Sequence, residues 1–573
     1  MSANLEIYKN KAINAIETVF ESEYHNTLGI PKPKIQILMP DDADYITGQY
    51  YIMIDDTWQI HLNFGKLPIS FKEFEDEVKV LTRHEIEHYM CCPFDVITHL
   101  RMLKCIIDVY NKDFSHLGID IQRACGSISN QAADIIVDTK NYFRHPQDTL
   151  ISEINWIKKG ASIENCPRHS KLMFLTKEAL WGTSLNINED DQELLAIVNE
   201  LAEKFKVNGI EDRASFLHKT EEYARTFFKL YTKDKFLQNN IQQGGQSQQG
   251  GQSQQGGQSQ QENATHHNSS NISSAKPKDG DKNGSAFIFS DPDKISEAIT
   301  ALAEETNVQE FSDVLSAAGI QFMSESEKYK LWFSIQSVNF IPIEEYSFSG
   351  NKDKYTFPSI WKVGDPIGNL DFMLSFMASP KILPGITTKK WELATRDTRG
   401  SEKKQRDLLL VVDASGSMGS AVKESDNMHQ AVLAAYGIIS YFESAKGKVA
   451  LIEFDNTIRT NVAWTDDYDL IKRALLVNGR GGTKFPIRYI KYVLEQSSNE
   501  LVTVLITDGE LNNVNESVSY FREYLYDDNK LYIFVLGDSK SINSYEALKN
   551  LGAKIYTAKK AKDFCDIVLA DME

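Results

Sequence analysis

The six-residue unit GGQSQQ occurs three times in succession from Gly244 to Gln261. Such a run has no apolar side chains to bury, so no hydrophobic core can pass through it. With its polar flanks the stretch extends over residues 240–285 and reads as a flexible Gln/Gly/Ser linker. A chain of 573 residues is too long for one core, and the linker is the natural place to divide it. His266 and His267 lie within this polar tract and are read as inert.

Ahead of the linker, "PKIQILMP", "QYYIMID" and "TWQIHLNF" alternate apolar and polar residues within 34–64, with turn chemistry at Asp41-Asp42 and Asp55-Asp56. They predict a small sheet. The helical patterns "SFKEFEDEVKVLTRHEIEHYM" and "ISNQAADIIVDTKNYF" follow, so residues 1–239 are expected to form an α+β domain. Beyond the linker, "DPDKISEAITALAEET" and "VQEFSDVLSAAG" predict two helices with acidic first turns. Residues 325–400 have no regular period, and 286–400 is therefore read as a helical and irregular connecting region. From Arg406 onward, apolar runs such as "DLLLVVD", "KVALIEF" and "LVTVLITD" alternate with amphipathic helical segments. That pattern predicts a doubly wound α/β sheet over 401–573, covered on both faces. The fold class is thus multidomain α/β.

A formal charge of -18 repels phosphate backbones and argues against a nucleic-acid partner. The six cysteines form no CxxC pair, so a reducing compartment is expected. No apolar run approaches the roughly 20 residues that span a bilayer, and the first residues lack the apolar core of a signal peptide. A cytoplasmic protein with no membrane partner is the expectation.

"HEIEH" places His84 and His88 four residues apart, on one face of a helix, with Glu85 beside them. Two imidazoles and a carboxylate suit Zn²⁺ and leave a fourth position for water, whose proton Glu85 can take as general base. The third ligand is sought in "NQAADIIVD", where Asp134 and Asp138 are also four apart among aliphatic residues. Asp134 is assigned to the metal, and Asp138 to the hydrogen bond that fixes a ligating imidazole. A charged surface helix would carry the same histidine spacing, but it would not explain two aspartates in an apolar helix. His61 is read as a solvent or groove residue, and Arg83, Cys91 and Cys92 as structural. Tyr142, Arg144 and His145 follow the acid pair, and spacing does not choose an oxyanion donor among them. Together the motif, the preceding strands and the acid pair resemble the zincin-like metallopeptidase domain that occurs joined to von Willebrand factor A-like domains in bacterial proteins. The acid pair is similar to the ExxxD of gluzincins, with aspartate for the ligating glutamate. This resemblance implies a zinc peptidase of unstated substrate.

A second constellation closes the apolar strand at "DASGSM", which sets Asp413, Ser415 and Ser417 at alternate positions. "GRGGTKF" supplies Thr483, and "LVTVLITDGE" ends a further buried strand at Asp508. Hydroxyl and carboxylate oxygens are hard ligands suited to Mg²⁺ or Mn²⁺. Ser420, Glu424, Ser425 and Asp426 are read as solvated rim residues. The five oxygen-bearing positions resemble the metal-ion-dependent adhesion site (MIDAS) of von Willebrand factor A domains, which implies docking of an acidic group from a protein partner or substrate. Relatives with such domains look like partners of MoxR-type AAA+ ATPases, so a non-catalytic adaptor is the alternative to a peptidase. A likeness to magnesium and cobalt chelatase subunits leaves "HEIEH" unexplained and ranks last.

Overall fold

The computed structural model describes residues 2–25, 34–38, 50–54, 59–64, 71–159, 163, 166–244, 292–320, 323–338, short segments within 351–397, and 406–561 apart from 477–478, 498, 510, 528, 538–542 and 559. The expected turns at Asp41-Asp42 and Asp55-Asp56, most of the linker, and His266 and His267 lie outside the described residues. Two compact units are present, Met1–Ile335 and Gln336–Glu573.

In the first unit, helix α1 (Ser2–Val19) precedes three strands, β1 (Lys34–Leu38), β2 (Tyr50–Ile54) and β3 (Gln59–Phe64). Their order is β1-β3-β2, with β1 parallel and β2 antiparallel to β3, so that Gln36 and Met53 flank His61. Helix α2 (Phe71–Met90) carries the histidine motif. Its apolar residues Phe74, Val78, Leu81 and Ile86 pack with Ala12, Ile16, Val19 and Phe20 in one core cluster, which leaves another face of α2 for the histidines. Next come α3 (Val96–Val109), α4 (Ile121–Arg144), α5 (Pro146–Lys159), α6 (Arg168–Trp181), α7 (Gln192–Lys206) and α8 (Phe216–Gly244). Asp95 and Asp120 cap α3 and α4 by accepting from the amides of Thr98 and Arg123, which satisfies donors at each helix start. Helix α4 is central, touching α2, α3, α5, α6 and α8, so its residues from Ala132 to Asn141 are buried all round.

Two expectations about the middle of the chain change. Helix α8 continues through Gly244, past the expected boundary at 240. Helices α9 (Pro292–Glu305) and α10 (Val308–Ala317) pack on α3 and α4 of the first unit and do not form part of a separate connector. The reason is the apolar face made by Leu302, Val308, Phe311, Val314 and Leu315, all fully buried, which a helical pair of this length cannot cover by itself. Arg101 pairs with Glu305, and Gln122 Nε2 donates to Asp313 Oδ1 at 3.0 Å. A further helix, α11 (Glu325–Val338), occupies sequence read as irregular. Ser324 and Glu327 exchange hydrogen bonds at its start in the S-x-x-E pattern of a capping box.

The second unit contains a six-stranded sheet of β4 (Arg406–Asp413), β5 (Val449–Phe454), β6 (Ile458–Thr465), β7 (Glu500–Thr507), β8 (Lys530–Leu536) and β9 (Lys554–Ala558). Their order is β6-β5-β4-β7-β8-β9, parallel except for the edge strand β6. Strands β4, β5 and β7 are buried nearly throughout, as expected of a doubly wound sheet. Chain direction across the sheet reverses between β4 and β7, and the crevice at their carboxyl ends is where such sheets bind ligands.

Because α9 and α10 return to the first unit, a specific protease site inserted between GGQSQQ units should yield two fragments that remain together on size exclusion in native buffer. Fragments that separate without denaturant would contradict the docking of α9 and α10.

Candidate functional site

Helices α2 and α4 bring His84, His88 and Asp134 together. The Nε2 atoms of the two imidazoles lie 3.1 Å apart, and Asp134 Oδ1 is 3.6 Å from the first and 3.4 Å from the second. All three residues are buried, at 2%, 6% and 1% exposure respectively. The outward nitrogens show which tautomers are present. His84 Nδ1 is 2.6 Å from Asp138 Oδ1, and His88 Nδ1 is 2.9 Å from the carbonyl of Cys92. A carbonyl and an ionised carboxylate only accept, so each Nδ1 carries hydrogen and each Nε2 is the nitrogen turned inward.

Two imidazole nitrogens and a carboxylate thus converge in a buried site, and Asp134 Oδ1 accepts no hydrogen bond there. The other oxygen, Oδ2, accepts from Asn130 Nδ2 at 3.0 Å, which fixes the carboxylate's orientation. Ligands at 2.0–2.1 Å on a tetrahedral ion stand about 3.3–3.4 Å apart. The three measured separations bracket that value, so the donor set and spacing fit Zn²⁺, and the cluster is a possible metal site. Glu85 is buried beside the trio. Burial pushes its carboxyl up to about 7, against the opposing pull of His84 and His88.

Behind the trio lies a charged group that sequence reasoning missed. Lys177 on α6, 1% exposed at its side chain, donates from Nζ to Asp138 Oδ2 at 2.6 Å and to Glu153 Oε1 at 2.8 Å. Its one sequence signal is a lysine inside the apolar run "KLMFLTKEALW". The three residues considered as oxyanion donors have other partners: Tyr142 bonds Thr183, Arg144 pairs with Glu87, and His145 with Glu23. Arg83 likewise pairs with Glu23 and Asp148. Cys91 and Cys92 are buried free thiols.

In the second unit, Asp413 closes β4 and Asp508 follows β7, on the two sides of the crevice. The amide of Ser415 donates to Asp413 Oδ1 at 2.9 Å. Ser417 Oγ lies 3.1 Å from Ser415 Oγ and 3.1 Å from Asp508 Oδ1, to which it donates. Asp413, Ser415, Ser417 and Asp508 therefore form one hydrogen-bonded group. The loop bearing Thr483 is drawn beside them by Arg480 N to Ala414 O at 2.7 Å and Gly416 N to Gly481 O at 3.0 Å. Gly481 has φ +79°, and a Cβ there would lie 2.6 Å from Asp455 Oδ2, so this approach needs glycine. Two further residues were not foreseen. Thr507 Oγ1 donates to Asp413 Oδ2 at 2.7 Å, and Asn427 Nδ2 donates to Asp508 Oδ2 at 3.1 Å. Burial pushes the Asp413 carboxyl above its ordinary range, with the bonds from Thr507 and Ser415 opposing. Asp426, expected on a solvated rim, accepts from the Ser420 amide at 2.9 Å.

Residues 408–510 match the model of the von Willebrand factor type A domain, and the C-terminal unit contains such a domain. Solved structures similar to this chain include the conserved hypothetical protein BatB from Bacteroides thetaiotaomicron, 14% identical over 29% of this chain and 98% of that one, with a TM-score of 0.25. A von Willebrand factor type A protein from Catenulispora acidiphila is 15% identical over 30% of this chain and 43% of that one, with a TM-score of 0.23. The vWF domain of the type V pili tip protein Mfa5 from Porphyromonas gingivalis is 9% identical over 30% and 98%, with a TM-score of 0.24. No curated protein matches the chain. No helix among the described residues is long and apolar enough to cross a membrane.

When a chelator has removed metal, a proton can serve as the cation of the first site. Burial opposes charge on His84, but the Asp138 carboxylate, with Asp134 and Glu85, outweighs it and pushes the pKa up to about 10. The folded value lies above the unfolded one of about 6.5. Stabilisation by this proton is therefore fully present below pH ~6.5 and is lost as pH rises through about 10. The melting-temperature advantage of metal-free wild type over metal-free His84→Gln should shrink across that window. An advantage that stays constant would contradict this charge assignment.

Proposed function

We propose that this protein is a zinc-dependent metallopeptidase whose A-type domain holds a protein partner or substrate through a Mg²⁺-dependent site. One observation carries the reading: the inward convergence of His84 Nε2, His88 Nε2 and Asp134 Oδ1 at the separations of a tetrahedral ion's ligands. Bound there, Zn²⁺ would supply a Lewis acid that brings the pKa of a water near 7. Glu85, with its own pKa near that value, is suited to take a proton from water and return it to a leaving amine. Asp138 holds the His84 ring so that its lone pair faces inward.

Substitution Glu85→Gln should retain one zinc per chain and lower hydrolysis of a peptide library, read by mass spectrometry, by roughly 10²–10⁴-fold. Equal cleavage by wild type and the variant would overturn the proposed chemistry. The depth of the trio favours a second reading, in which the metal is structural and the chain is an adaptor, with a MoxR-type AAA+ ATPase as candidate partner. Retained zinc with no cleavage by wild type would support that reading.

For the A-type domain, Asp413 and Asp508 would supply carboxylates and Ser415, Ser417 and Thr483 hydroxyls to Mg²⁺ or Mn²⁺, the oxygen set these ions prefer. Asp413→Ala should abolish Mg²⁺ binding measured by calorimetry, and partner recovery should depend on Mg²⁺ in wild type alone. Recovery that is indifferent to chelator and to Asp413→Ala would remove the metal from docking.

A further inference from the structure

The buried chain of charges behind the metal centre has one cationic link, and this link belongs to no motif of the site. Asp138 divides its oxygens, Oδ1 toward His84 Nδ1 at 2.6 Å and Oδ2 toward Lys177 Nζ at 2.6 Å. Lys177 reaches it from α6, a different helix from either that carries the trio, and is held from its far side by Glu153 Oε1 of α5 at 2.8 Å. All three side chains are at least nine-tenths buried. Water therefore cannot substitute for either partner, and the buried ammonium is tolerated because two carboxylates pair with it.

We infer that Lys177 is a positioning residue for the metal centre. It anchors one oxygen of Asp138 so that the other meets His84 Nδ1 and directs His84 Nε2 at the ion. This rests on the metal reading proposed above. Without Lys177, the Asp138 carboxylate would lose the ammonium that holds Oδ2 at 2.6 Å, and rotation about its side-chain bonds would loosen the inward setting of the imidazole. Groups that orient a ligating imidazole from behind typically change metal affinity by roughly 10–100-fold when removed. Glu153 in turn holds Lys177 in place, so three helices other than α2 contribute to the orientation of one imidazole on it.

Lys171 provides a control on the same helix. It is also largely buried, and its Nζ bonds Glu189 Oε2 at 2.7 Å, so Lys171→Met breaks a comparable ion pair outside the Asp138 chain. Zn²⁺ affinity of the full chain is to be measured by competition with a chromophoric chelator for wild type, Lys177→Met, Lys171→Met, Asp138→Asn and the double variant Lys177→Met/Asp138→Asn, with metal-free melting temperatures alongside. Lys177→Met is expected to weaken Zn²⁺ by roughly 10–100-fold and to bind one ion at saturation, while Lys171→Met lowers melting temperature without a comparable loss of affinity. If the lysine acts through the carboxylate, the double variant binds as Asp138→Asn does, within about twofold. The double variant leaves no unpaired carboxylate at 138, and the same comparison made in a Glu153→Gln background removes the one at 153, which keeps the test available should the single variant not fold. A Lys177→Met affinity equal to that of Lys171→Met, or a double variant markedly weaker than Asp138→Asn, overturns the inference while leaving the metal reading intact. A wild-type chain that takes up no zinc overturns both.

Discussion

Asp134 imposes the constraint on which the first unit depends. Its Oδ1 is buried, makes no hydrogen bond and faces two imidazole nitrogens. Burying a carboxylate so placed is costly unless a cation shares the site. From His84 the contacts run outward through Asp138 and Lys177 to Glu153. Each buried group in that run is satisfied in part by the next. The helices of the bundle hold this sequence of charges in register, and α4 is central because it carries both aspartates.

How much of this was legible depended on whether contacts were local. His84 and His88 lie one turn apart on a single helix, as do Asp134 and Asp138, so periodicity alone placed each pair on a face. That α2 and α4 would cross at those faces followed from chemistry, since neither pair has a reason to be buried without the other. Lys177 was only faintly legible, because its place in an apolar run does not name its partners until α6 packs against α4. The same limit applies to α9 and α10. Their apolar faces announced amphipathic helices, but a hydrophobic face does not name its partner, and the partner lies across the low-complexity stretch. Helix α11 is a different case. Its capping pair Ser324 and Glu327 was present in the sequence, and Tyr329, Trp332 and Phe333 fall at i, i+3 and i+4, so this helix was legible from local signals.

In the second unit the topology does most of the positioning. The order β6-β5-β4-β7-β8-β9 sets β4 beside β7, and the register pairs Ile506 with Val412. Residues Thr507 and Asp413 are next in line, so the threonine hydroxyl reaches the aspartate at 2.7 Å. The motif residues were readable because each closes an apolar run or follows a glycine-rich turn. Thr507 and Asn427 were not, because their roles arise from cross-strand register and from the start of a helix far along the chain.

The two sites differ in the physical property that selects a metal. Two nitrogens and one oxygen at the first suit a borderline-soft ion that accepts four ligands. The second offers only carboxylate and hydroxyl oxygens, which suit a hard ion that retains water. Burial differs in the same sense: the first trio is nearly inaccessible, while Asp508 and Ser417 are at least partly exposed at the mouth of a sheet crevice. An accessible ion with exchangeable waters can accept a carboxylate from another protein, whereas a sequestered one cannot without displacement of what covers it. On the proposed reading, recognition therefore belongs to the second site and hydrolysis to the first.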